Sequence, residues 1–67
     1  MISVKINDRT ISLSNEATLQ DALDHQQVAP QGIATALNGT VIPATLRPTT
    51  QLHNGDTIII IKAFYGG

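Results

Sequence analysis

The chain has 67 residues, 42 % of them hydrophobic, no cysteine, and four Lys and Arg against five Asp and Glu for a net charge of −1. That length allows one small domain, and with no disulfide and only His25 and His53 as metal-binding imidazoles, the fold must rest on its apolar core. The scattered basic residues form no stripe for nucleic acid or anionic lipid. The longest apolar run, Ile58 to Ile61, is far too short to cross a membrane. With no export signal at its start, the chain reads as cytoplasmic.

Ile2, Val4 and Ile6 alternate with Ser3 and Lys5, the period of a half-buried strand. Asn7-Asp8-Arg9 is a turn cluster and Thr10 to Leu13 alternates again, so the first thirteen residues predict a hairpin. The period then changes. Leu19, Ala22 and Leu23 sit at i, i+3 and i+4, with Gln20, Asp21, Asp24 and His25 on the other side. That pattern predicts one short amphipathic helix, opened by a capping box between Thr18 and Asp21. Pro30 and Gly32 end the connection that follows.

Ile33 to Asn38 predicts a third strand, Asn38-Gly39 a two-residue hairpin turn, and Val41-Ile42 a short fourth strand stopped by Pro43. Ala44 to Leu52, with Pro48 and three threonines, reads as irregular, anchored to the core by Leu46 and Leu52. Asn54-Gly55-Asp56 is a further tight turn, and the last strand starts at Thr57. One helix among these strands must pack on one face of a mixed sheet of four to five strands. The most apolar strand belongs in the middle of that sheet. Placing it beside the first strand gives an α+β domain of the β-grasp type over residues 1–67, with a flexible tail at 64–67.

Alternation splits the isoleucine run between two faces. Ile58 and Ile60 are expected under the helix, and Ile59 and Ile61, beside Ala34 and Ala36, on the face without one. An apolar patch left open on a small domain reads as a partner surface, or else as a stable central strand with a few exposed aliphatics.

No catalytic constellation is present. Ser3, Ser12 and Ser14 lack a histidine and acid around them, and His25 and His53 read as solvated. Asp8, Glu16, Asp21, Asp24 and Asp56 hold turn and cap positions that local hydrogen bonding accounts for. Gly32, Gly39 and Gly55 are isolated turn glycines, not a phosphate loop. The chain does not read as an autonomous enzyme, and no bound cofactor and no metal are expected.

The end of the chain is different. Phe64-Tyr65-Gly66-Gly67 would reach at most about 14 Å beyond the sheet when fully extended. Glycines there leave the chain slim enough for its α-carboxylate to enter a narrow channel in another protein. A carboxylate is a poor electrophile until a partner activates it, and adenylation by ATP is the standard route. The alternative is a tail whose glycines are incidental.

The chain resembles the ThiS family, the sulfur carrier proteins of thiamin biosynthesis. The resemblance rests on "IND" in the first strand, "TLQDAL" in the helix, "ALNGTVIP", "NGD" before the last strand, and the "AFYGG" ending. It implies that the Gly67 carboxylate is adenylated by an E1-like adenylyltransferase of the ThiF type, which consumes ATP. Sulfur from a donor such as a cysteine desulfurase then gives a thiocarboxylate, used by a thiazole synthase of the ThiG type. Two neighbouring readings are the small subunit of molybdopterin synthase, with the same tail chemistry, and a ubiquitin-like modifier or interaction module. Where family members often place an arginine and then an aromatic after this proline, the chain has Ala44 and Leu46.

Overall fold

In the structure, a computed structural model, residues 1–28 and 32–62 are described. Five strands and one α-helix follow the expected order: β1 (Ile2–Ile6), β2 (Arg9–Leu13), α1 (Leu19–His25), β3 (Ile33–Leu37), β4 (Thr40–Ile42) and β5 (Thr57–Lys62). A 3₁₀ helix, Ala44–Thr49, lies between β4 and β5. The five strands form one mixed sheet in the order β2-β1-β5-β3-β4. β5 is central, parallel to β1 and antiparallel to β3, which is the β-grasp arrangement.

Local chemistry accounts for the elements. The Thr18 Oγ1 accepts the Asp21 N–H at 3.3 Å while the Asp21 carboxylate accepts the Thr18 N–H at 2.9 Å. This capping box satisfies two N–H groups in a helix of only 7 residues, too short to persist without caps and packing. Leu19, Ala22 and Leu23 are fully buried, and the core they enter contains Ile2, Val4, Ile6, Leu13, Ala17, Leu52 and Ile58. The β3–β4 turn needs positive φ at both of its central residues, met by Asn38 (50°) and Gly39 (87°).

The turns also hold one another. The Asn38 Nδ2 donates to Asp56 Oδ1 at 2.9 Å, and the Asn38 Oδ1 accepts the Thr57 N–H at 2.9 Å. Asp56 Oδ2 in turn accepts the His53 N–H at 2.7 Å. The "LNG" and "NGD" segments are therefore one side-chain network that fixes where β5 begins. At the end of β1, Asn7 continues the pairing by itself: its N–H donates to Ile58 O, and its Oδ1 accepts the Ile60 N–H, both at 2.9 Å.

Two expectations for the segment after β4 are corrected. Ala44 to Thr49 is a regular 3₁₀ helix, and Leu46 does not anchor it, being 50 % exposed. Leu52 is buried as expected, but its partner in holding this segment is Arg47, only 3 % exposed. The acceptors that let Arg47 turn inward come from β3, about a dozen residues away in sequence.

Candidate functional site

β5 divides its side chains between two environments. Ile58 is fully buried and Ile60 packs on the same core, whereas Ile59 and Ile61 are 41 % and 51 % exposed. Across the β3–β5 ladder, Ala36 faces Ile59 and Ala34 faces Ile61. The structure thus brings Ala34, Ala36, Ile59 and Ile61 together on the sheet face opposite α1. Alanines beside the isoleucines keep that surface low and leave the larger side chains standing free.

Val41 belongs to the same patch. It pairs with Ala36 and is 66 % exposed. The sequence reading missed it, although a two-residue turn at Asn38-Gly39 sets Thr40 opposite Leu37 and hence Val41 opposite Ala36. The patch stops at β5. On the β1–β2 half of this face the residues are Ser3, Lys5, Thr10 and Ser12, all polar. The open face is therefore apolar over β5, β3 and β4 and hydrophilic over β1 and β2.

The patch leads along β5 to the chain's C-terminal segment. β5 stays paired through Lys62, which stands opposite Ile33. Phe64, Tyr65, Gly66 and Gly67, the expected tail, lie outside the described residues.

Several of the polar residues considered for chemistry have hydrogen-bond partners within the fold. Ser14 Oγ accepts the Glu16 N–H at 3.1 Å, and Gln20 Nε2 donates to Asp24 Oδ1 at 3.0 Å. His25 sits exposed in the last turn of α1, its Nδ1 3.2 Å from Gln26 Nε2. The His53 ring is 78 % exposed, with Nδ1 3.9 Å from Asp56 Oδ2. Among the described residues no group of three or more His, Asp or Glu could hold a metal ion. One shallow groove lies between the β1–β2 turn and the end of α1, lined by Ile6, Asn7, Asp8, Arg9, Gln26, Val28 and Ile60. It brings one acid and one guanidinium together with amides and aliphatics, and no nucleophile. Among the described residues no helix is long and apolar enough to cross a membrane.

A β-grasp sheet with one face closed by a helix and half of the other left apolar is the frame of the ubiquitin-like proteins. Comparison with known proteins narrows this class. The model of the ThiS family matches residues 3–67. Two relatives, each 30 % identical over 66 residues that make up 98 % of this chain and 93 % of theirs, are "Uncharacterized protein ycf40" of Pyropia yezoensis and of Porphyra purpurea. The crystal structure of the thiamine biosynthesis protein ThiS from Geobacter metallireducens superposes with a TM-score of 0.82 at 19 % identity, covering 98 % of this chain and 100 % of that one. A solution structure of a thiamine biosynthesis protein from the same organism gives 0.73 at 22 % identity, over 98 % and 87 %. At such identities the superpositions speak for the fold. The family match speaks for kinship: the chain belongs to the ThiS family, ubiquitin-like sulfur carriers that work with E1-like activating enzymes and sulfur-transfer partners.

Proposed function

We propose that this chain carries sulfur for the thiazole of thiamin on its C-terminal Gly67. The Gly67 carboxylate attacks the α-phosphorus of ATP on an E1-like enzyme of the ThiF type, releasing pyrophosphate and leaving an acyl-adenylate. A persulfide formed by a cysteine desulfurase then displaces AMP through its terminal sulfur, giving an acyl disulfide. A thiol cleaves that S–S bond, leaving the thiocarboxylate and being itself oxidised to a disulfide. The net change is one oxygen exchanged for sulfur, and the resulting thiocarboxylate serves a thiazole synthase of the ThiG type. The observation that carries this reading is the family match over residues 3–67, which includes the terminal Gly66-Gly67.

The geometry supports it in two ways. The apolar patch of Ile59, Ile61, Ala34 and Ala36, widened by Val41, lies on the strand that leads into Phe64-Tyr65-Gly66-Gly67. A partner seated on the patch therefore holds the chain close to the point where the tail begins. The cysteine-free composition leaves the carboxylate as the group on which this chain can hold sulfur.

The test is an intact mass of the protein after incubation with a ThiF-type enzyme, ATP, a cysteine desulfurase and cysteine. The expected result is a gain equal to one sulfur-for-oxygen exchange, lost when Gly67 is deleted. No gain, together with a Gly67 deletion that still functions in cells, overturns the reading. Mixing the thiocarboxylate with a ThiG-type synthase or with a molybdopterin synthase large subunit then separates the two pathways, and consumption by the thiazole synthase is expected.

A further inference from the structure

β3 begins further along the sheet than β4 reaches. β4 pairs with it from Leu37↔Thr40 to Thr35↔Ile42, and the chain turns away at Pro43. Backbone groups in an antiparallel ladder point alternately to either side. The Asn38 N–H bonds Thr57 O on the β5 side, so the carbonyls of Leu37, Thr35 and Ile33 point toward β4. At Ile33, β4 has already left.

Arg47 fills that position. Its Nη2 donates to Ile33 O at 3.0 Å and its Nε to Thr35 Oγ1 at 3.2 Å, and Thr35 Oγ1 donates onward to Ile42 O at 3.1 Å. Thr35 is fully buried and Arg47 nearly so. Burying a guanidinium is costly, and an apolar residue at this position would leave the Ile33 carbonyl without this donor. The same β3 residue, Ile33, stands opposite Lys62, the last residue of β5.

We propose that Arg47 is a positioning residue for the terminal carboxylate: by closing the outer end of β3 it secures the last described pair of β5, Ile33↔Lys62, from which the chain runs on to Gly67. This rests on the sulfur-carrier reading above. Without the clamp, the Ile33↔Lys62 and Ala34↔Ile61 pairs open, and two residues now held in the sheet are added to the span that carries Gly67. That adds about 7 Å of slack at ~3.3–3.4 Å per residue. A longer tether lowers the effective concentration of the carboxylate at a partner's active site. The docked complex still forms, but fewer of its tails are in place to react.

The experiment compares Arg47→Lys and Thr35→Val with the unaltered protein, well below the thermal midpoint of each. Thr35→Val keeps the side-chain shape and removes one acceptor of the clamp, so it answers for Arg47→Lys should that variant unfold. Two readouts are taken: amide hydrogen exchange at Ile61 and at Val4, and steady-state adenylation by a ThiF-type enzyme. Exchange at Ile61 is expected to quicken about tenfold relative to Val4. The kcat should fall about three- to tenfold with KM for the carrier shifted less than twofold. Equal quickening at Ile61 and Val4 overturns the proposal in favour of a global stability role. Faster Ile61 exchange with unchanged kcat overturns it in favour of a purely local one. If the unaltered protein is not adenylated at all, the carrier reading itself fails, and the role for Arg47 falls with it.

Discussion

Ile58 and Ile59 are neighbours in one strand, yet the first is fully buried in the core while the second is 41 % exposed on the opposite face. Their side chains are identical, so the difference lies in what the fold sets on each side of the sheet. Ile58 shares one buried cluster with Leu19 and Ala22 of α1. Beside Ile59 are Ala36 and, one strand further, Val41. One face of β5 holds the domain together, and the other stays open, the surface proposed above for another protein. In a chain this small, the same strand has to serve both ends.

Substitutions that treat the two faces alike test this division. Ile58→Ala removes a fully buried side chain from a tightly packed site and should cost about 2–5 kcal/mol, read as the loss of midpoint in urea unfolding. Ile59→Glu should leave stability within about 1 kcal/mol. It should also weaken binding to an E1-like or synthase partner by about tenfold or more, near 1.4 kcal/mol, measurable by titration calorimetry. Global unfolding of Ile59→Glu would reverse the assignment of faces. Thr18→Ala acts on the cover, removing the hydroxyl that accepts the Asp21 N–H. A loss of about 1 kcal/mol in thermal unfolding is expected, with partner affinity unchanged. The smallest effect belongs to Val41→Ser at the patch's edge: partner binding weakened only a few-fold, roughly 0.5–1 kcal/mol, at unaltered stability.

Much of this division is legible in the sequence, because it is written in local periodicities. The i, i+3, i+4 spacing of Leu19, Ala22 and Leu23 marks the buried stripe of α1, and Thr18 with Asp21 marks where it starts. Alternation in β5 is unambiguous once the central position of the strand is inferred. The Asn38-Gly39 turn carries its own register, from which Val41 could have been placed. The 3₁₀ helix is different. In Ala44 to Thr49 a leucine looks like the anchor and an arginine like a solvated residue, and the structure reverses them. Arg47 goes inward because β4 stops short and leaves the Ile33 carbonyl at the end of the sheet to be bonded. That need arises from the pairing of distant strands, so no window of sequence around residue 47 displays it. The chemistry assigned to the tail rests on kinship, since carboxyl groups and glycines look alike in every protein.

The parallel pairing of β1 with β5 has a kinetic side. Lys5 and Ile6 meet Thr57 and Ile58, partners drawn from opposite ends of the described chain. The core cannot close until that long loop has closed, and the entropy of closure comes before any reward from burial. Folding should therefore be slower than for a helical bundle of equal length, on the order of milliseconds, between the ranges of helical bundles and all-β domains. Until it is complete, the isoleucines of β5 have nowhere to hide.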